Sequence, residues 1–480
     1  MWCYSAYSHR PAPHTQSGTS DPTSLFLNSR ERPLHIVYSF KMDDPAFQSS
    51  SVDLNTQTIL LHAAHHDLEA LKPFLRIPGN ASVQDQETGF TPLHAAIAAC
   101  GSAPQSTISI SSPENTQTSE APEDVGELDV VDMQKAIDVV RELFLAGAIW
   151  NDLDLEGETP GCLAWRLGRK ELYGMVVEAG VRAEMLLGLM GGYEELQSEG
   201  DEEEKDEKLD DTDDVNGQNG ATTNRLSDAE TEGDGEAKVK RDVNSEDYLK
   251  SALQFEEGKL LDQDANGVMM AWETDIMRRS VDLLLPDNKP GARILNVGFG
   301  MGIIDRMFRA TSPFSHHIIE AHPAVLAKIA EEGSDFGPAW EASAPEGGKY
   351  VVHSGRWQEV LPRLQKDGET FDCIYFDTFG EDYSQLKLFF SEFVTGLLSS
   401  EGRFSFFNGL GADRRVCYDV YSRVVELDLC EAALDVEYTD VPVDVEGLGL
   451  GRDGEGEWKG IRRRYFTIDR YRLPICTFMG

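Results

Sequence analysis

In the second half of the chain, short apolar runs alternate with stretches of helical periodicity. Strand-like runs fall at residues 293–297, 316–320, 350–354, 371–376 and 402–406. Around them, residues 246–255, 273–285, 323–332 and 383–399 read as helices. Strand, helix, strand repeated this way predicts a mostly parallel sheet with helices on both faces. Two later runs, at 432–438 and 464–471, have only a Gly-rich loop between them. They predict an antiparallel hairpin at the end of that sheet.

The first half carries a different pattern, one that repeats. Thr91-Pro92-Leu93-His94-Ala95-Ala96 matches the ankyrin TPLHxA signature, and Leu61-His62-Ala63-Ala64 stands about one 33-residue repeat upstream. A later copy runs from Leu143-Phe144-Leu145-Ala146-Gly147-Ala148 through Thr159-Pro160-Gly161 to Glu178-Ala179-Gly180-Val181. The logic is physical: Thr-Pro opens a helix with a capping hydroxyl and a preset φ, alanines permit close stacking, and glycine ends the second helix. These copies predict an all-α ankyrin-repeat domain over residues 51–190. Residues 101–127, rich in Ser, Thr, Pro, Gln and Glu, read as a disordered insertion in a repeat loop. Residues 191–240 are almost devoid of apolar positions and read as a self-repelling acidic linker, leaving 241–480 for the α/β domain.

Charge and cysteine usage narrow the class. The formal net charge is −41, a balance that repels nucleic-acid phosphates and suits a cationic protein partner, although a solvated linker produces it equally. The seven cysteines contain no CxxC pair and are odd in number, which argues against a disulfide framework or structural zinc and fits a reducing compartment. No run approaches the roughly 18 apolar residues that span a bilayer. These features predict a soluble intracellular protein with no metal. Residues 1–50 read as a disordered extension or a misplaced start, since Met42-Asp43-Asp44 resembles a natural beginning.

Candidate chemistry starts at Ile294-Leu295-Asn296-Val297-Gly298-Phe299-Gly300-Met301-Gly302, a strand closing into a glycine loop that opens a helix. Glycines there let backbone N–H groups approach a ligand closely, as they also permit any tight turn. Ile303 after the third glycine departs from the dinucleotide form GxGxxG. Glu320 ends the next strand, where a carboxylate accepts both ribose hydroxyls of a nucleoside. Loop and acid together indicate an adenosine ligand. Trp357, after the third strand, stacks on an adenine or packs the core. Asp377 follows the fourth strand and Glu273 precedes the first. As a pair they suit a planar cation such as a guanidinium, while either alone serves as an ordinary helix-start acid.

Several of these motifs resemble one family. Met270-Ala271-Trp272-Glu273-Thr274, the loop from Leu295 to Gly302, His317-Ile318-Ile319-Glu320, Arg356-Trp357-Gln358 and Tyr375-Phe376-Asp377-Thr378 are similar to guanidinoacetate N-methyltransferase. With ankyrin repeats ahead of that domain, the chain resembles the fungal type IV protein arginine N-methyltransferases over roughly residues 55–190 and 240–480. The resemblance implies a class I methyltransferase fold, Rossmann-like with an antiparallel terminal strand, and S-adenosyl-L-methionine as cofactor. It implies that Gly298, Phe299, Gly300, Met301, Gly302, Ile303 and Ile304 cradle the methionine part. Glu320 then binds ribose, and Ala321, His322, Arg356, Trp357 and Gln358 surround adenine. Tyr248 and Met277 close over the cofactor, and Asp377 touches it as well. Glu273 and Asp377 are the catalytic acids that hold the guanidino group. Asn296 departs from the pattern, because many methyltransferases carry Asp or Glu there.

The activity so implied is methyl transfer to the δ-nitrogen (N5) of an arginine in a protein, with a large-subunit ribosomal protein as the substrate class. The expected setting is a monomer in cytoplasm and nucleus that makes ankyrin-mediated protein contacts. No Thr-His-Trp loop of the ordinary arginine methyltransferases occurs, which argues against ω-methylation. Two other readings stay open: a small-molecule guanidino methyltransferase, and an ankyrin scaffold with an inactive enzyme domain.

Overall fold

The computed structural model describes residues 53–103, 126–198, 245–286, 290–445, 447–448, 456–462 and 464–480, with backbone alone at 126–132 and 191–198. The predicted extension at 1–50, most of the insertion at 101–127 and nearly all of the linker at 191–240 lie outside them. The chain divides into two compact units, one up to Met175 and one from Val176 to Gly480. Among the described residues no helix is long and apolar enough to cross a membrane.

The first unit is built of helices in pairs: α1 (Leu54–Ala64) with α2 (Leu68–Leu75), α3 (Pro92–Ala98) with α4 (Gly126–Leu145), and α5 (Pro160–Arg166) with the first turn of α6 (Lys170–Ser198), whose residues from Val176 on belong to the second unit. Each Thr-Pro starts a helix as its chemistry dictates, with Thr91 Oγ accepting from His94 N and Thr159 Oγ from Cys162 N. His94 is fully buried, and burial lowers its pKa, which keeps the ring neutral. Its Nδ1 accepts from Thr91 N at 3.2 Å, so its Nε2 carries the hydrogen and donates to Glu158 O at 3.1 Å. One side chain thus closes its own cap and ties the turn to the next Thr-Pro.

After α6, the second unit continues with α7 (Ser245–Lys250) and a small antiparallel sheet of β1 (Gln254–Glu256), β2 (Lys259–Leu261) and β3 (Gly267–Met270). The helix expected over 246–255 therefore stops at Lys250. A tight turn at Gly258 folds the following residues into a hairpin that pairs Phe255 with Leu260. Then come α8 (Thr274–Leu284), β4 (Arg293–Val297), α9 (Ile303–Ala310), β5 (Ser315–Glu320), α10 (Pro323–Ile329), α11 (Pro338–Glu341), β6 (Tyr350–Ser354), α12 (Trp357–Lys366), β7 (Phe371–Phe376) and α13 (Tyr383–Leu388). A π-turn at Phe389–Val394 and α14 (Thr395–Leu397) lead into β8 (Leu398–Phe406), so the helix expected to reach residue 399 ends sooner. The unit closes with α15 (Arg415–Glu431), β9 (Leu434–Pro442) and β10 (Arg470–Phe478).

The main sheet has the order β6-β5-β4-β7-β8-β10-β9, with β4 through β8 parallel and β10 antiparallel to both neighbours. The expected terminal hairpin is present, but its last strand starts at Arg470 rather than 464, because the residues before it turn into an aromatic cluster with Trp272 and Trp458. Both faces of β4 and β7 are covered, which explains why most of their positions are apolar. Leu295, Val297, Ile374 and Phe376 face one helical layer, and Ile294, Cys373 and Tyr375 face the other. Strand order reverses between β4 and β7, and ligands of open α/β sheets bind in the crevice at such a point, beyond the carboxyl ends of the strands.

Candidate active site

Two backbone bonds set the floor of that crevice. Gly298 N donates to Ile319 O at 2.9 Å and Asp377 N to Val297 O at 2.8 Å, lashing the ends of β4, β5 and β7 together. Gly298 has φ +93°, and a Cβ there would stand 1.8 Å from Asp377 O. Only glycine fits. Past it, Phe299 N (3.0 Å) and Gly300 N (3.4 Å) donate to Glu320 Oε2, and His322 N donates to Oε1 at 2.6 Å. Burial raises the pKa of Glu320 while these amides pull it back down.

Asn296 acquires a role that its sequence context did not suggest. Its Nδ2 donates to Gly298 O at 2.9 Å and to Asp305 Oδ2 at 2.8 Å, and Asp305 Oδ1 meets His316 Nε2 at 3.0 Å. The buried amide thus bridges the glycine loop to a buried carboxylate on α9, and neither Asn296 nor Asp305 lines the cleft described next.

Above the loop lies a cleft with about 640 Å³ of atom-free space, part of it open to solvent. Of the residues singled out in the sequence, Tyr248, Gly298, Gly300, Glu320, Ala321, Arg356, Trp357, Gln358 and Asp377 line it. Glycine backbone, a buried carboxylate and an indole around this cleft, at the carboxyl ends of the strands, fit an adenosine-bearing cofactor.

Other named residues do not line it. Met277, Ile303 and Ile304 are buried in the core between α8, α9 and the sheet, and Met301 packs against that core. Phe299 turns its ring onto Phe336, 5.4 Å away, and Gly302 begins α9. His322 caps α10 through Nδ1 and backs Tyr248, its Nε2 bonding Tyr248 O at 3.1 Å. Trp357 satisfies both of its readings, because its ring packs edge-on against Phe376, Phe389 and Phe393 while it also lines the cleft.

Two functional candidates escaped the sequence reading. Glu381 lines the same cleft and accepts from Trp357 Nε1 (2.8 Å), Gln358 Nε2 (3.1 Å) and Thr378 Oγ1 (2.5 Å), fixing three neighbours at once. Tyr465 donates its hydroxyl to Glu273 Oε1. No spacing rule marks either, since both reach their partners through the fold.

Glu273, in the single turn before α8, is buried beside Asp377 at the end of β7. Burial raises the pKa of Glu273, the charge of Asp377 raises it further, and the Tyr465 hydroxyl opposes both. Burial raises Asp377 likewise. They titrate as a pair. Both must be anions to hold a cation, so kcat/KM should climb with pH along a limb lying above the ordinary carboxylate range of roughly 4. The stability consequence has the opposite sign. A carboxyl whose folded pKa is raised stabilises the fold below its unfolded pKa, and that contribution is lost as pH rises through the folded value. Glu273→Gln should therefore melt higher than the parent protein at pH 8 and no higher at pH 4, read by calorimetry without ligands.

The geometry agrees with comparisons along the chain. Residues 245–412 match the guanidinoacetate N-methyltransferase family model. Protein arginine N-methyltransferase 2 of Gibberella zeae is 51% identical over 89% of this chain and 94% of its own length. The Aspergillus fumigatus protein of that name is 47% identical over 91% of this chain and 100% of its own. The Saccharomyces cerevisiae one is 37% identical over 73% and 80%. Among solved structures, the chain is similar to Aeropyrum pernix fibrillarin in complex with natively bound S-adenosyl-L-methionine, at 13% identity and TM-score 0.25 over 48% of this chain and 83% of that one. With identity this high along most of its length, the chain belongs to the protein arginine N-methyltransferase 2 family, methyltransferases that use S-adenosyl-L-methionine.

Proposed function

We propose that the protein methylates the δ-nitrogen (N5) of an arginine in a protein, and that a large-subunit ribosomal protein is its substrate. The observation that carries this is the pairing of buried Glu273 with Asp377, which lines the cofactor crevice and whose charge acts on Glu273. S-adenosyl-L-methionine supplies an activated methyl on a sulfonium. The backbone at Gly298 and Gly300, Glu320, Trp357 and Gln358 would hold it in the cleft. Glu273 and Asp377 accept hydrogens of the guanidinium and turn one nitrogen toward that cleft. Arginine stays protonated up to a pKa of about 12 or more, so the nitrogen must shed its proton as it attacks, and a carboxylate of this pair takes it.

A protein acceptor is supported by the first unit. Its capped helix pairs and repeated Thr-Pro starts fit ankyrin repeats over 51–190, a stacked surface that binds other proteins. The formal charge of −41 favours encounter with a basic ribosomal protein. The second reading, a small-molecule guanidino methyltransferase, draws on the family model matched at 245–412. Incubation with methyl-labelled cofactor and a ribosomal fraction, followed by fragmentation of the labelled protein in the mass spectrometer, decides between them. Label on the δ-nitrogen of one arginine is the expected result. Label on a terminal nitrogen, or only on added guanidinoacetate, would overturn the proposal.

A further inference from the structure

Tyr465 belongs to no helix or strand, yet its place is closely set. The backbone is tied on both sides of it, by Arg462 N to Ala265 O and by Thr467 N to Ala412 O, each at 2.9 Å. Its ring meets Trp458 edge-on at 4.9 Å and lies 6.0 Å from Trp272. Strand β3 makes room for it with Gly267, where a Cβ would come within 3.1 Å of Tyr465 Cε1. From that socket the hydroxyl donates to Oε1 of Glu273. Burial and the nearby Glu273 charge push the phenol well above its usual pKa, so the hydroxyl keeps its hydrogen and acts as a donor.

Without a donor, Glu273 has poor reasons to ionise. It is buried, and a second carboxylate faces it. The buried phenols of Tyr375 on β7 and Tyr471 on β10 also interact electrostatically with this pair, and burial keeps both neutral. A hydrogen bond to the charged form is what tips such a group toward its anion. We propose that Tyr465 is a positioning residue of the methyl-acceptor site, holding Glu273 as an oriented carboxylate beside Asp377. This rests on the reading of Glu273 and Asp377 as the guanidinium-binding acids.

Tyr465→Phe keeps the ring in its socket and removes only the hydroxyl. A hydrogen bond to a charged group shifts such a titration by about 1 to 2 pH units. The acidic limb of kcat/KM should move up in pH by that amount, with activity falling roughly 10- to 100-fold on the limb and recovering on the alkaline side. A loss that is uniform at every pH would mean a merely structural role and overturn the proposal. In the Glu273→Gln background the same change should have no further effect, because the hydroxyl acts through that carboxylate. An additional loss there counts against it.

A readout independent of methyl transfer separates this inference from the functional proposal. Carbon-13 NMR of glutamate side-chain carboxyls in the full chain follows Glu273 directly, with its resonance assigned by its disappearance in Glu273→Gln. The Glu273 midpoint should rise in Tyr465→Phe, and an unmoved midpoint overturns the inference. A raised midpoint in a protein that methylates no arginine overturns the functional proposal alone.

Discussion

Asp377→Asn is expected to lower methyl transfer to arginine by about 10²- to 10⁴-fold, the usual worth of a proton acceptor within reach of the reacting group. Cofactor affinity should stay within a few-fold, because the link from Asp377 to the glycine loop runs through its backbone. Asp377 N bonds Val297 O, and Asp377 O is the atom packed against Gly298. Asparagine keeps both. It also removes the like charge facing Glu273, which should bring Glu273 down toward its ordinary titration range. Single-turnover rates and calorimetric cofactor binding test the two halves separately. Comparable turnover in both proteins would remove Asp377 from the chemistry.

Gly298→Ala should abolish cofactor binding, with a Kd at least about 100-fold weaker. Two costs add. A non-glycine residue at φ +93° is strained by about 1–2 kcal/mol, and a Cβ at 1.8 Å from Asp377 O forces the ends of β4 and β7 apart. Gly333→Ala is the control that separates them. Gly333 has a similar φ of +85° with nothing within 4 Å, so it carries the strain without the collision. Its Kd should not move, and melting should drop by only a few degrees. If Gly298→Ala binds cofactor as the parent does, the crevice floor has been misidentified.

Much of the catalytic unit was legible in the chain. Strands β4, β6 and β7 lie where their apolar runs placed them; for β4 and β7, inside the sheet, the reason is that positions covered on both faces are mostly apolar. The glycine loop was legible for a related reason: backbone that approaches other backbone so closely admits no side chain. Helix 246–255 failed at its second half because a turn at Gly258 offered those residues strand partners, and pairing overrode local periodicity. Met277 looked like a cofactor contact by its place in a motif, but the helix it lies on presents it to the core.

What the sequence alone determined was the alternation of elements and the loop at Gly298, both of which depend on local geometry; by residue chemistry it also singled out Glu320, Glu273 and Asp377 as candidates. What tertiary structure decided was partnership. Asp305 on α9 accepts from Asn296, Glu381 orders Trp357 and Gln358 at the cleft, and Tyr465 reaches Glu273 across 192 residues of chain. A hydrogen bond acts only over about 3 Å, and which groups come that close depends on how the whole chain packs.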